Sequence, residues 1–565
     1  MRNEFEFEKP TSATEKANAL NDQFKSVFTN EDRNRIPNLP GGLPAMPPIK
    51  VTVQGIEKLL KGLNDRKAPG PDGLTPKILK GCASSIAPIL TILYQKSIST
   101  GDLPLDWIQA NVTPLYKKGN RSEPGNYRPV SLTSIPCKLL EHVIYTNVIN
   151  HLEKHGHLND KQHGFRSSRS CESQLALTVN DLAKILDDKG QVDIIIMDFC
   201  KAFDTVPHES LLAKISHAGV HGSLHLWIRN FLTQRSQQVV LEGATSFSTH
   251  VTSGVPQGTV LGPLLFLLYI NDITDEITSE VRLFADDCIM YRQVKNIQDS
   301  EDLQKDIDRL CEWEQRWQMQ FNKAKCYAMH ITHKKKMIES HYHMGDSVLQ
   351  TVSNHTYLGV EINNKLSWAN HVQNVASRAN QILGLLRRNL YSCSPKVKDI
   401  SYKALVRPRL EYCASIWDPH QKEYKNQLER VQRRSARFVL NNNKTQASVT
   451  EMISHLKWEP LEHRRANQRL TLMYKSVHKQ IAIDTESYQT KPNREGVSTR
   501  KHSSIAFEKL TANKDCYKYS LYPRTFAEWN CLPAHVRDAP TIGTFKSKIK
   551  LVNMGNIIDK AHFKN

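Results

Sequence analysis

Three aspartates stand where a negative charge is expensive. Asp198 ends the apolar run Ile194, Ile195, Ile196, Met197, and Asp286 and Asp287 are flanked by Leu283 and Phe284 on one side and Cys288, Ile289 and Met290 on the other. A carboxylate in such company is unfavourable unless it is paired or bound to a metal. Two adjacent like charges repel unless a cation joins them. A cluster of this kind is what two divalent ions need for an in-line displacement, one activating an attacking hydroxyl and the other neutralising a departing pyrophosphate. Taken alone, Asp286-Asp287 also reads as an ordinary turn pair; the apolar strands on both sides favour the chemical reading.

The elements that would position these groups can be read from pattern. Residues 192–199 form a short β-branched run that predicts a buried strand. Residues 281–291 predict two short strands around a tight turn at Ala285, Asp286 and Asp287. Between them, Ser253, Gly254, Val255, Pro256, Gln257 and Gly258 make a Gly/Pro loop leading into an apolar helix from near Leu261. Glycines there let backbone approach a substrate closely, and Gln257 offers both a donor and an acceptor; a plain loop before a core helix has the same pattern.

Around this centre, residues 1–30 carry a mixed helical pattern ending at Phe24, Val27 and Phe28, and the Pro/Gly-rich 35–49 reads as a linker. From Val51 to about His343, strand-like and helix-like segments alternate. After Trp368 the residues Val372, Val375, Ala376, Ala379, Ile382, Leu383 and Leu386 predict one face of an amphipathic helix. Leu428, Val431, Phe438 and Val439 mark a second helix whose other side carries Arg430, Arg433, Arg434 and Arg437, either a solvated face or a nucleic-acid contact. Residues 484–520 are polar and read as a loose connection, and no internal repeat is present.

Composition narrows the class. The 565 residues hold 76 Lys and Arg against 57 Asp and Glu, a formal charge of +19. That argues against an acidic, disordered chain and suits a protein that handles a polyanion. The longest apolar run, Leu261 to Ile270, is far short of the ~18–20 residues that span a bilayer, so no membrane partner is expected. Met1 to Glu6 lacks an apolar core, which predicts no signal peptide. The 11 cysteines are odd in number and scattered with no Cys-x-x-Cys pair, which points to a reducing, intracellular setting and against a zinc module. His151, His155 and His157 lie close together without a cysteine ligand set and read as a solvated loop.

The order of motifs resembles the reverse transcriptases of non-LTR (LINE-type) retrotransposons, especially the jockey-like animal elements. KAPGPDG at 67–73 and NYRPVSL at 126–132 match finger motifs, and QHGFR at 162–166 follows where this family has its Q-x-G-F-R segment. DFCKAFD at 198–204 resembles palm motif A, GVPQG at 254–258 motif B, and Phe284-Ala285-Asp286-Asp287 the F-A-D-D form of motif C. NKAK at 322–325 resembles motif D, with Cys326 where Thr is usual, and YLGV at 357–360 the primer-grip motif. YKALVRP at 402–408, LEYC at 410–413, IWDP at 416–419 and VQRRSARF at 431–438 fit the helices after the palm.

The resemblance implies an α/β (α+β) right-hand polymerase fold. A pre-polymerase segment and linker would fill 1–49 and fingers 50–185. The palm, an antiparallel sheet on helices, would span 186–360, within a reverse transcriptase domain of about 98–362. A helical thumb would follow at 361–440 and a tail at 441–565. The implied reaction is RNA-directed DNA synthesis from a primer 3′-hydroxyl, with an RNA template, a DNA primer and dNTPs as partners and two Mg²⁺ ions as cofactors, Mn²⁺ being a substitute. Asp198 and Asp286 would bind both ions, with Asp287 beside them and the Phe199 carbonyl as a further ligand. Phe203 would exclude the 2′-hydroxyl of a ribonucleotide, Gln257 and Gly258 would line the nucleotide pocket, and Arg128 would meet the triphosphate. Lys325 would protonate the leaving pyrophosphate, and Asp204 would hold local structure.

Complete elements of this kind carry an endonuclease ahead of the polymerase, and about 50 residues before the first finger motif are too few for one. A truncated copy whose mobility needs an endonuclease in trans is therefore expected. No targeting signal decides between nucleus and cytoplasm. The competing expectations are a polymerase relic that only binds RNA, and an RNA-dependent RNA polymerase, which F-A-D-D and Phe203 disfavour.

Overall fold

The computed structural model describes residues 12–442, 444, 446–490 and 505–562. Met1 to Glu6 and the middle of 484–520 lie outside the described residues. The architecture is a mixture of helices and sheets built on one central strand. Every residue of Gln191–Met197 is buried, as its β-branched run requires. Its side chains alternate between two cores: Ile195 and Met197 belong to one, and Val192, Ile194 and Ile196 to the other. Asp193, on the same strand, is satisfied by the Tyr342 hydroxyl at 2.7 Å and by His330 Nδ1 at 2.9 Å.

Five strands make the central sheet, in the order Gln350–Thr351, Tyr327–Thr332, Gln191–Met197, Asp287–Gln293, Glu280–Phe284. The short edge strand Gln350–Thr351 runs parallel to its neighbour, and the other pairings are antiparallel. A second sheet joins Gln109–Tyr116 antiparallel to Tyr127–Leu132 and parallel to Ser236–Leu241. Among the described residues no helix is long and apolar enough to cross a membrane.

The C-terminal half is helical. Ala369–Asn389 buries Val372, Ala376, Ala379, Leu383 and Leu386 of the expected stripe, leaves Val375 and Ile382 half-buried, and packs on Lys422–Val439. On the latter helix Arg430, Arg433 and Arg434 are exposed. The helices Leu461–Val477 and Leu521–Asn530 meet over a buried ionic network in which Asp418 and Glu528 face Arg465, Arg469 and Arg524. The C-terminal part also reaches back to the first half of the chain. Asp187, the last residue of the helix Cys171–Asp187, accepts from the main-chain N–H of Asn513 at 2.8 Å and of Lys514 at 2.6 Å.

Three expectations need correction. The 35–49 segment is a docked strap, not a free linker: Leu43 N–H and Met46 N–H donate to the carbonyls of His217 and Gly219, and Ile49 is buried. Its apolar residues, invisible as a pattern among prolines, find the core individually. His151 is not on a solvated loop; it is buried near the end of the helix Ile135–Lys154, with its ring 4.8 Å from that of His155. The described parts of 484–520 are anchored too, through buried Phe507 and Tyr517 and a bridge between Gln489 and Phe507.

Candidate active site

Strand register brings the three aspartates together. Met197 pairs with Cys288 across the central sheet, so Asp198, one residue beyond Met197, and Asp287, one residue before Cys288, leave the same end of adjacent antiparallel strands. Phe284 pairs with Asp287, which makes Ala285 and Asp286 a two-residue hairpin tip. Ala285 holds φ +54° there, a left-handed conformation that a non-glycine residue rarely adopts.

The tip is braced from outside the hairpin. Gln162 Oε1 accepts from Ala285 N–H at 2.8 Å and from Gly164 N–H at 2.7 Å. His163 N–H donates to Leu283 O at 2.8 Å, and Leu283 N–H donates to Lys161 O at 3.0 Å. The Q-x-G segment thus runs as a short extra strand against the hairpin. A Cβ on Gly164 would meet Ala285 N at 2.3 Å, so only glycine lets the two backbones approach. Gly164→Ala is expected to displace the tip and, since a misplacement of about 1 Å can cost ~10²-fold, to lower single-turnover extension by about that factor. Duplex affinity, measured in parallel, should hold.

The carboxylates open into a cleft of 410 Å³ lined by Lys117, Lys118, Asp198, Asp287, Lys325, His355, Tyr357 and Gly359, among others. Lys325, in a single turn before the strand Tyr327–Thr332, places Nζ 3.2 Å from Asp198 Oδ2. Burial, then the neighbouring Asp286 and Asp198, pushes the Asp287 carboxyl up to about 6. Asp286 is raised by burial and by Asp198. Lys117 is lowered by burial and by the cations Arg128 and Lys325. The cleft therefore sets crowded carboxylates against a wall of cations, the complement of a metal-bearing polyphosphate. Lys117 and Lys118 were missed by the sequence reading; their signal was a Lys-Lys-Gly step directly after the strand Gln109–Tyr116.

The donor set fits hard divalent ions, which take oxygen ligands. Among the described residues no three His, Cys, Asp or Glu side chains form a ready cage for a metal. Mg²⁺ in general is held by one or two carboxylates and completed by substrate phosphates. The Phe199 main chain bridges Phe321, and its ring stacks on Phe321 at 4.4 Å.

The remaining expected residues gather beside the cleft. The Phe203 ring stacks on Phe266 at 4.6 Å. Gln257 donates its side-chain amide to Asp204 Oδ1 at 2.8 Å, and its main-chain carbonyl accepts from Ser131 N–H at 2.8 Å. Burial pushes the Asp204 carboxyl up to about 6 against that hydrogen bond. Gly258 holds φ +102°, and a Cβ on it would meet Ser131 O at 2.7 Å. Arg128 is exposed on Tyr127–Leu132, and its charge favours the ionised forms of Asp286, Asp287 and Asp204 against their burial. The helix after the loop, Leu261–Tyr269, is seated by Glu141, whose Oε2 accepts from Val260 N–H at 2.7 Å and Leu261 N–H at 3.0 Å. That cap was also missed, because the carboxylate comes from a helix more than a hundred residues earlier.

Residues 115–362 match the family described as reverse transcriptase (RNA-dependent DNA polymerase), and this stretch holds Asp198, Asp286, Asp287 and all five strands of the central sheet. The relatives it resembles come from transposable elements. The chain is 28% identical to the probable RNA-directed DNA polymerase from transposon X-element of Drosophila melanogaster, over 66% of this chain and 42% of that protein. It is 24% identical to the RNA-directed DNA polymerase from mobile element jockey of the same fly, over 70% and 44%. To the probable RNA-directed DNA polymerase from transposon BS it is 26% identical, over 86% and 53%. The chain spans about half the length of these relatives.

Proposed function

We propose that the chain is an RNA-directed DNA polymerase of a non-LTR retrotransposon, joining a primer 3′-hydroxyl to the α-phosphate of a dNTP along an RNA template. The observation that carries this reading is the braced tip with Asp286 and Asp287, set beside Asp198 by strand register and facing Lys117, Lys118, Arg128 and Lys325. In this reading 50–185 are fingers, 186–360 palm, 361–440 thumb and 441–565 tail.

Asp198 and Asp286, with Asp287 and the Phe199 carbonyl, would hold two Mg²⁺ ions. When bound, these supply activation of the attacking hydroxyl and charge neutralisation at the pyrophosphate. Arg128, Lys117 and Lys118 bind and orient the triphosphate through charge-assisted hydrogen bonds. Gln257, held by Asp204, and Gly258 shape the nucleotide pocket. Lys325, beside Asp198, holds the proton that passes to the departing pyrophosphate oxygen. The exposed arginines of Lys422–Val439 contact duplex phosphates, an attraction that weakens with salt.

The direct test is primer extension by the purified chain on an RNA template with an annealed DNA primer, Mg²⁺ and dNTPs. Extension that a chelator abolishes is expected. No extension by protein that still binds the duplex would replace the reading with an RNA-binding relic. The same assay checks the sugar gate: Phe203→Ala should narrow the preference for dNTPs over NTPs by about 10- to 100-fold in kcat/KM. An unchanged preference would remove that role from Phe203.

A further inference from the structure

Phe165 is left unused by the site described so far. It sits between two immobilised residues. On one side Gly164 is wedged against Ala285 and bonded to Gln162. On the other, the buried Arg166 guanidinium grips both carboxylate oxygens of Glu153, at 3.1 and 3.0 Å, and the carbonyls of Leu158 and Asn159 at 3.2 and 2.9 Å. Phe165 itself takes φ +54°, and its side chain is 50% exposed. Its ring stands edge-on to Phe203, centroids 6.2 Å apart.

Each of these features opposes stability. A bulky residue in left-handed backbone is strained, and an aromatic ring left in water forgoes burial. The fold nevertheless holds the ring in place from both ends, next to the hairpin that carries Asp286. A flat apolar surface of this kind, beside a cationic cleft, is suited to a nucleobase, since every base has a π-face that stacks on an aromatic side chain. Phe203 faces the incoming nucleotide in the reading above, and the ring touching Phe203 then faces the base opposite it.

We propose that Phe165 is a contact residue for the templating base, holding it flat against the incoming nucleotide; this rests on the polymerase reading of the same cleft. The test uses the full chain and an RNA template carrying 2-aminopurine at the templating position, annealed to a DNA primer. Phe165→Gly accommodates the φ without strain, so it should melt at the same or a higher temperature. It should lose ~10-fold in kcat/KM for the next dNTP, keep its duplex Kd, and lose the fluorescence change that the wild type gives on binding. Phe165→Tyr should restore both signals. The inference is overturned if Phe165→Gly binds, reports and extends like the wild type, or if it melts markedly lower, which would make the ring a packing element. A wild type that gives the Phe165-dependent fluorescence change but never extends would sink the polymerase reading and leave the base contact standing.

Discussion

Asp286→Asn is expected to reduce primer extension by at least ~10³-fold, the scale of losing about 4 kcal/mol of transition-state stabilisation, without harming the fold. The substitution is nearly isosteric and sits at a hairpin tip whose main chain is braced by Gln162. Burial and Asp198 already disfavour the ionised form of Asp286, so removing its charge relieves repulsion with Asp198 and Asp287. The metal-free variant should therefore melt at the same temperature as the wild type or slightly above it. Mg²⁺ should raise the melting temperature of the wild type by mass action and leave the variant unmoved. The pH dependence has a definite sign. Asp287 is raised to about 6, so its protonated form stabilises the metal-free fold as pH falls through that value. Cation binding needs the ionised form, so the Mg²⁺-induced shift should fade below pH about 6. Melting curves with and without Mg²⁺ at pH 5 and pH 8, run beside the extension assay, check both parts. Substantial extension by Asp286→Asn would move the chemistry away from this hairpin.

Asp418→Ala should unfold the C-terminal helices, at a cost of about 3–5 kcal/mol, the usual penalty for leaving buried charges unpaired. Asp418 is 2% exposed and takes the Arg465 and Arg469 guanidiniums directly, with Arg524 at 3.3 Å. Glu528, fully buried, takes Arg469 at 2.6 Å and Arg524 at 3.3 Å. Without Asp418, three buried guanidiniums would face one carboxylate. Burial works against the ionised form of Asp418, but Arg524, Arg465 and Arg469 outweigh it and hold the carboxyl well below the usual range. Glu528 is likewise held at about 2, by Arg469, His562 and Arg524 against its burial. Such depressed groups stabilise the fold above their ordinary values near ~4 and lose that contribution only as pH falls through the depressed ones. The network should therefore survive moderate acid. Thermal melting and limited proteolysis of Asp418→Ala should show early loss of the 461–562 region. A wild-type melting temperature in the variant would mean that the network contributes little.

Much of the catalytic centre was legible because it is local. The run 192–199, the turn at Ala285 to Asp287 and the stripe from Val372 to Leu386 each announce an element within a few residues. The supports were not legible, because each is a contact across sequence. Gln162 reaches a main chain 123 residues away, and Glu141 caps a helix 119 residues away. Nothing around either residue marks it as a brace. The strap at 35–49 was hidden for another reason. Prolines suppress periodicity, so isolated anchors such as Ile49 leave no pattern. Asp418 carries the opposite lesson: a charged residue beside Trp417 and Pro419 gives no hint that its neutralising partners come from two later helices.

The two main-chain donors that Asn513 and Lys514 present to Asp187 are 326 and 327 residues from it along the chain. The helix that ends in Asp187 packs on the central strand, and the core it shares runs from Leu175 to Ile557. During synthesis on a ribosome, the apolar face of that helix and the even-numbered side of the central strand must wait for residues as late as Ile557 before their packing is complete. One half of the central sheet can close as soon as its own residues emerge; the other stays open until residues several hundred positions later have been made. A message broken before that point would yield a chain with all three aspartates and an unfinished core, exposed to aggregation or degradation. The late C-terminal helices thus govern when the core on one face of the central sheet becomes complete.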